Sequence, residues 1–314
     1  KIFVMGHQLT DVDSFGAAIG IYRAANALEK RAYIVINEVS ASLKPLYTAY
    51  ENNPDYPERL FLNSAEALEL ADESSMVVVV DTNRPGMTEC EELLHVAKTI
   101  VVLDHHRQSS DNIDNALLSY IEPYASSACE MVSEVLQYIV DDIKIPNLEA
   151  SSLYAGIMID TNNFMNKTGV RTFEAAAFLR RSGADITLVR KMFRDDMESY
   201  RAKAQIISSA EVYHNKYAIA RGENLTIESP TIIGAQAANE LLDINEVKAS
   251  FVLTTYNGRI YVSARSIDEV NVQIIMERLG GGGHMNASGA QFDHTDMDEA
   301  VADLKQVIDD VIEG

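Results

Sequence analysis

The sequence is poor in cysteine and contains no long apolar run. Its 314 residues include 2 cysteines, too few for a disulfide framework or a thiolate metal site, so we expect Cys90 and Cys129 to be reduced and structural. No stretch approaches the roughly 20 apolar residues of a membrane span, and no signal peptide is visible. The chain begins with Lys1 rather than methionine, which fits the absence of an N-terminal portion.

Positive charge is also scarce. Lysine and arginine number 26 against 47 aspartates and glutamates, and the formal net charge is −21. Long nucleic acid is therefore disfavoured as a substrate, because its binding relies on Lys and Arg that neutralise phosphates. A small phosphorylated ligand stays compatible, since divalent cations can supply the charge that the chain lacks. With 47% apolar residues, the chain has enough material for two packed domains.

Apolar runs and helical patterns alternate through the first part of the chain. Continuous runs of Val and Ile are typical of strands buried on both faces. Because helical patterns separate them, they predict a doubly wound, mainly parallel sheet over residues 1–185. A helical connector is predicted over 186–212. The pattern then changes, and an Asn257-Gly258 hairpin turn belongs to a second, smaller α+β domain predicted over 213–314, across a cleft from the first.

Acidic and imidazole side chains follow the ends of the apolar segments. In chain order these are His7, Asp11 and Asp13, then Asp81, then Asp104, His105 and His106, and finally Asp160. Each alone has a plain explanation, such as a helix cap, a turn or a core histidine. In open α/β sheets, however, ligands bind outside the carboxyl ends of strands, so these groups can meet in one crevice. Two of these imidazoles with four of these carboxylates suit a pair of divalent ions. This donor set favours Mn²⁺ over Zn²⁺.

Taken in order, these motifs resemble those of the DHH phosphoesterase superfamily. The matching stretches are His7-x3-Asp11-x-Asp13, Asp81-Thr82-Asn83, Asp104-His105-His106 and Asp160-Thr161. A later run, Gly280 to Gly283 with His284, Asn286, Ala287, Ser288 and Gly289, resembles the signature of the accompanying DHHA1 domain. The likeness covers nearly the whole chain. Residues 122–127 and 169–173 favour the catalytic portion of the membrane-anchored cyclic-di-AMP phosphodiesterases within it.

The resemblance implies two Mn²⁺ ions and a role for each motif residue. His7, Asp11 and Asp81 would bind one ion, and Asp13, Asp81, His105 and Asp160 would bind the other. Asp104 would orient an imidazole. His106 would face the scissile phosphate as a hydrogen-bond donor or proton source, and the alternative for it is a packed histidine.

For the second domain, the resemblance implies contacts with the substrate. The residues concerned are Gly281, Gly282, Gly283, His284, Asn286 and Ser288. A backbone without side chains allows close approach to phosphate, and exposed amides can bind an anion. A flexible loop is the alternative for the glycine run. Arg265 is predicted to contact a phosphate or a base, and its alternative is a solvated surface arginine.

The function expected is Mn-dependent hydrolysis of cyclic-di-AMP to linear 5′-pApA by a water that two metal ions activate. An oligoribonuclease or pAp phosphatase of the same superfamily is one alternative, and a non-catalytic nucleotide sensor is another. Cyclic-di-GMP and pApA stay open as substrates. The resemblance also implies a soluble fragment at the cytoplasmic face of a bacterial membrane, with an upstream anchor and sensor domains. An exposed apolar helix face in the first domain would permit a homodimer.

Overall fold

The computed structural model describes residues 1–108, 110–194, 196–227, 229–267, 270–293 and 296–313. The chain separates into two compact units, Lys1–Arg194 and Asp195–Gly314. The predicted connector over 186–212 is divided between them, because its first helix lies in the first unit and its second helix in the second. None of the helices in the described ranges combines the length and the apolar character that crossing a membrane requires.

The first unit is a sheet with helices on both faces. Its elements are β1 (Ile2–Met5), α1 (Val12–Ala27), β2 (Ala32–Val35), α2 (Lys44–Glu51), β3 (Phe61–Leu62), α3 (Ser64–Leu70), β4 (Met76–Val80), α4 (Leu93–Val96), β5 (Thr99–Asp104), β6 (Leu118–Ile121), α5 (Ala128–Ile139), α6 (Asn147–Asp160), α7 (Val170–Arg181) and α8 (Ile186–Met192). All strand pairs are parallel, in the order β3-β2-β1-β4-β5-β6. The predicted doubly wound sheet is confirmed, with its switch point between β1 and β4.

The side chains of the central strands pack into apolar clusters on both faces of this sheet. Val78 and Val80 of β4 pack into one apolar cluster, whereas Val77 and Val79 pack into another. Successive side chains of a strand point to opposite faces, so an uninterrupted valine run fills both cores. Each fully buried valine contributes about 1.5–3 kcal/mol relative to an exposed one.

Close packing of α1 and α6 sets the position of two predicted ligands, Asp13 and Asp160, which these helices carry. A Cβ atom on Gly16 of α1 would lie only 2.6 Å from the backbone oxygen of Ser152 and 2.6 Å from Cys129 Sγ. The helices can therefore approach this closely only with glycine at position 16. Cys129, like Cys90, is buried and unpaired.

The second unit contains a mixed sheet covered by helices. Its elements are α9 (Met197–Ser208), β7 (Glu211–Tyr213), β8 (Tyr217–Gly222), α10 (Pro230–Leu241), β9 (Ala249–Tyr256), β10 (Arg259–Ser266), α11 (Val272–Arg278), β11 (Gly282–His284), β12 (Ala287–Phe292) and α12 (Met297–Glu313). The strand order is β11-β12-β10-β9-β8-β7, and β8 and β9 are the parallel pair. The predicted α+β domain is confirmed, and Asn257 and Gly258 connect β9 to β10 with positive φ angles of 49° and 72°.

The glycine run differs from the flexible, amide-exposing loop that the sequence suggested. Gly282–His284 forms strand β11, which pairs antiparallel with β12. The amides of Gly280 and Gly281 donate to carbonyl oxygens of α11. A Cβ on Gly281 would lie 2.1 Å from Gly289 O, and one on Gly283, at φ 142°, would lie 2.6 Å from Ala287 O. Two of these glycines are therefore explained by how closely β11 approaches β12.

We predict that Gly16→Ala destabilises the first unit, because the added methyl group meets the backbone of α6. Overpacking of this kind costs about 1–3 kcal/mol. Urea unfolding should show a lower free energy of unfolding. Gly86→Ala is the matched control, since its Cβ would meet only Glu91 Oε2, at 3.8 Å. Equal stability of the two variants would contradict this account of the α1–α6 contact.

Candidate metal centre

The predicted ligands meet at the switch point of the first sheet. His7 lies two residues beyond β1, Asp81 directly follows β4, and His105 directly follows β5. Asp11 is the N-cap of α1, Asp13 lies in its first turn, and Asp160 is the last residue of α6. Because β1, β4 and β5 are parallel neighbours, their carboxyl ends bring these side chains to one edge.

One group of ligand atoms surrounds His7. Its Nε2 lies 3.4 Å from Asp81 Oδ2 and 3.7 Å from Asp11 Oδ2. Asp11 also caps α1, because its Oδ1 accepts a hydrogen bond of 2.9 Å from Ser14 N. The cap and the ligand explanations of Asp11 are therefore compatible, since the two carboxylate oxygens face different partners.

A second group surrounds His105. Its Nε2 lies 3.2 Å from Asp81 Oδ1, 3.5 Å from Asp160 Oδ2 and 3.8 Å from Asp13 Oδ2. The ligand atoms of Asp13, His105 and Asp160 all lie within 4.8 Å of one another, as do those of His7, Asp11 and Asp81. Asp81 stands between the two groups and turns one oxygen toward each.

The N-terminus of α5 holds the carboxylate of Asp13. Ala128 N donates to Asp13 Oδ2 at 2.6 Å, and Cys129 N donates to Oδ1 at 2.9 Å. Ser127 is the N-cap of α5, and its side chain accepts from Glu130 N. Free amides and the helix dipole favour a negative charge at this end of a helix. The fully buried Asp13 is therefore fixed by an element more than 100 residues away in the chain.

Asp104 orients His106 rather than His105. Its Oδ1 lies 2.8 Å from His106 Nδ1, and Asn83 Nδ2 donates to its Oδ2 at 2.5 Å. A carboxylate hydrogen-bonded at one ring nitrogen fixes the orientation of an imidazole. The ring of His106 is about half exposed and lies 3.6 Å from Asp81 Oδ1, so the structure places it beside the two groups.

Crowding shifts the ionisation of this centre. Burial and the charge of Asp81 raise the pKa of Asp13 to about 7, and burial and the charge of Asp13 raise the pKa of Asp160 to about 8. Burial alone would also raise the pKa of Asp81, but the neighbouring imidazoles of His105 and His7 outweigh it and hold that pKa at about 2. Cations near the buried carboxylates would displace the protons and offset the repulsion.

Two unsatisfied atoms test whether a cation fits. Asp81 Oδ1 and His105 Nε2 are buried and lie 3.2 Å apart, but among the described residues neither has a partner at hydrogen-bonding geometry. Such a group costs about 1–3 kcal/mol when it stays unpaired. A divalent cation would satisfy both, and carboxylate oxygens with imidazole nitrogens suit Mn²⁺. The residues present therefore fit metal ions.

The backbone of Asp81 was not foreseen from the sequence. Its φ is 61°, a conformation uncommon for residues other than glycine. Its amide donates to Leu103 O at 2.9 Å, which holds the residue in place. Strain of this kind concentrates at functional sites, and no side-chain pattern could have indicated it.

The predicted substrate residues of the second unit fall on two faces of its sheet. Arg265 lies opposite Ala287, which lies opposite His284, so these three share a face. Gly282 is on that same face, since it lies two residues before His284. Gly283 and the buried Ser288 belong to the opposite face, Gly281 directly precedes β11, and Asn286 is exposed in the turn.

Arg265 is half-buried, and burial lowers the pKa of its guanidinium. Within the described part of the chain, no acidic side chain forms an ion pair with it, and its hydrogen bond goes to Ala264 O. A guanidinium without an acidic partner is free to bind an anion. A substrate contact by Arg265 stays a prediction, with a solvated surface arginine as its alternative.

The molecule is therefore a two-domain α/β protein whose switch point can hold metal ions. Residues 1–157 match the DHH family, N-terminal domain, and residues 225–313 match the DHHA1 domain. The chain belongs to the DHH family, as the sequence motifs predicted.

Relatives and a solved structure agree with this assignment. The chain is 40% identical to the cyclic-di-AMP phosphodiesterase GdpP of Geobacillus thermodenitrificans, over 100% of this chain and 48% of that protein. It is 39% identical to the cyclic-di-AMP phosphodiesterase PdeA of Listeria monocytogenes, over 98% of this chain and 47% of that one. The chain thus spans about half the length of these relatives.

The fold is shared with a solved exopolyphosphatase-related protein from Bacteroides fragilis. The TM-score is 0.78 at 20% sequence identity, and the match covers 99% of this chain and 92% of that one. At this identity the likeness concerns the fold alone.

Proposed function

We propose that the chain is the catalytic part of a phosphodiesterase that uses two Mn²⁺ ions to hydrolyse cyclic-di-AMP to linear 5′-pApA. The observation that carries this proposal is the position of Asp81, whose two oxygens face two separate groups of ligand atoms. Two-ion centres of this kind serve phosphoryl chemistry. The names of the two relatives support the cyclic dinucleotide as substrate.

In this proposal the two groups hold one ion each. His7 and Asp11 would hold the first, Asp13, His105 and Asp160 would hold the second, and Asp81 would be shared by both. When bound, the ions supply charge that stabilises the phosphoryl oxygens and makes a water molecule nucleophilic. The burial of Asp13 and Asp81 keeps bulk water away from these carboxylates, which strengthens their attraction for cations.

His106 would protonate the leaving 3′ oxygen. The carboxylate of Asp104, 2.8 Å from His106 Nδ1, fixes the orientation of the ring, and Nε2 would then be the nitrogen that donates the proton. Its half-exposed position beside Asp81 leaves room for a nucleotide. This arrangement is what a general acid requires, a proton held at a fixed place near the reacting group.

In the second unit, we propose that Arg265, Gly282 and His284 form one substrate-binding face. Arg265 would pair with a phosphate, and the small residues Gly282 and Ala287 would let the nucleotide approach the strands. A Cβ on Gly282 would meet nothing within 4 Å, so packing does not explain this glycine. Asn286 in the adjoining turn would add a polar contact, and Gly281, Gly283 and Ser288 would support the hairpin.

A homodimer and upstream anchor and sensor domains remain predictions. Exposed apolar side chains on the first unit, Tyr138 of α5 and Phe173 of α7 among them, are a surface that a second copy would bury. Tyr120 and Tyr138 line one groove of about 750 Å³ there.

The first test is product analysis by HPLC with cyclic-di-AMP, cyclic-di-GMP, pApA and pAp. With Mn²⁺, cyclic-di-AMP should give pApA, and EDTA should stop the reaction. Asp81→Ala should lower kcat/KM by about 10²–10³-fold, because both proposed ions lose a ligand. Weaker ion binding leaves less positive charge to stabilise the phosphoryl oxygens. Asp55→Ala, a change of an exposed aspartate, is the matched control.

The alternatives give other results in the same assay. Further hydrolysis of pApA to AMP, or faster turnover of pAp, would favour the oligoribonuclease or phosphatase alternative. Binding of the dinucleotide without Mn²⁺-dependent turnover would favour the nucleotide sensor. Asp81→Ala as active as the parent would refute the proposed ligand set.

The second test concerns Arg265. Arg265→Gln should raise KM for the dinucleotide by about tenfold, the loss expected for one charge-assisted hydrogen bond, while kcat changes less. Arg259→Gln is the control, since Arg259 is exposed on the same strand. If both variants keep the parental KM in steady-state kinetics, the proposed face does not bind substrate.

A further inference from the structure

Three buried glutamates of the described residues lie outside the proposed ligand set, and one of them, Glu149, is paired with Arg23. Glu130 is 1% exposed and Glu89 is 5% exposed. A buried carboxylate is costly unless hydrogen bonds compensate it, so each calls for a physical reason. Glu130 and Glu89 each form hydrogen bonds near proposed metal ligands, and the ligands concerned belong to one proposed ion for Glu130 and to the other for Glu89.

Glu130 ties the start of α5 to α7. Its Oε2 accepts hydrogen bonds from Ser126 Oγ at 2.5 Å and from Thr172 Oγ1 at 2.6 Å. Ser126 N also donates to this oxygen, at 3.3 Å, and Arg171 Nε lies 3.9 Å from Oε1. The carboxylate therefore fixes the backbone immediately before the N-cap of α5.

The start of α5 in turn positions Asp13 through two backbone amides of that helix. Ala128 N and Cys129 N, two and three residues after Ser126, donate to the two oxygens of Asp13. If the start of α5 shifts, both of these hydrogen bonds shift, and Asp13 turns relative to His105. Glu130 thus acts on the group of Asp13, His105 and Asp160.

Glu89 ties the other ligand loop to the strands beside it. Its Oε1 lies 2.7 Å from Thr10 Oγ1, and its Oε2 accepts from Asn37 Nδ2 at 2.6 Å. Thr10 Oγ1 is also 3.0 Å from His7 O, and Glu89 N donates to Gly6 O at 3.0 Å. The loop that presents His7 is held at both ends by this one residue.

We propose that Glu130 and Glu89 are positioning residues, each for a different ion: Glu130 for the ion at Asp13, His105 and Asp160, and Glu89 for the ion at His7, Asp11 and Asp81. The inference rests on the two-ion centre proposed above. Hydrogen bonds that orient ligands commonly change metal affinity by about 10–100-fold when they are removed. Each network touches one side of the centre, so the two effects are separate.

The test measures Mn²⁺ binding to the whole chain, with free Mn²⁺ quantified by electron paramagnetic resonance. The parent should bind two ions. Glu130→Ala and Glu89→Ala should each weaken one ion by about 10–100-fold and leave the other within about twofold. A merely structural role would weaken both ions together.

Ligand variants identify which ion is affected. In an Asp160→Asn background, which removes a ligand of one ion only, added Glu130→Ala should leave the remaining ion unchanged, and added Glu89→Ala should weaken it. In an Asp11→Asn background the two results should be reversed. Non-additivity of this kind is the sign of residues that act on one site.

Two controls separate positioning from folding. Glu174→Ala removes an exposed carboxylate of α7 two residues after Thr172 and should leave both affinities unchanged. Glu130→Gln keeps an oxygen that accepts from Ser126 and Thr172 and should restore most of the affinity, even if Glu130→Ala folds poorly.

The outcomes distinguish failure of this inference from failure of the two-ion centre on which it rests. Fewer than two ions bound by the parent would refute the two-ion centre and the inference with it. Two ions bound by the parent, with equal weakening of both ions by Glu130→Ala or additive loss in the Asp160→Asn background, would refute the positioning roles alone.

Discussion

Mutual repulsion among buried carboxylates is the constraint on which the first unit depends. Asp13, Asp81 and Asp160 are brought within 3.8 Å of one nitrogen, His105 Nε2, and Asp13 and Asp81 are buried there from the water that would screen their charges. Folding can tolerate this arrangement only if protons neutralise some of the carboxylates or positive charge compensates them. The protein supplies part of it through histidines and through the amides at the start of α5. Divalent cations would supply the rest, and by binding the folded state they would stabilise it.

Much of this centre could be predicted because its proposed ligands lie in the sequence just after segments that form strands. Asp81 comes directly after a continuous apolar run and His105 comes two residues after another, and parallel strands place such residues at one edge. The doubly wound sheet was predictable for the same reason. The short strands β6 and β11 were not, because β6 has three exposed residues among its four and β11 has two glycines among its three, so neither shows an apolar periodicity.

What the sequence could not indicate are contacts between distant segments. Glu89 lies 79 residues from Thr10, and Asp13 lies 115 residues from Ala128, so no local pattern links them. The left-handed backbone of Asp81 is likewise set by its neighbours and not by its own preference. The glycine run shows the converse, since a motif that suggested anion-binding amides also serves close strand packing at Gly281 and Gly283.

The most direct test of the central claim is anomalous diffraction from crystals of this chain grown with Mn²⁺. The account predicts two anomalous peaks about 3.5–4 Å apart. One should lie among His7, Asp11 and Asp81, the other among Asp13, His105 and Asp160, with Asp81 in contact with both. A single peak, or two peaks of which Asp81 touches neither, would contradict it.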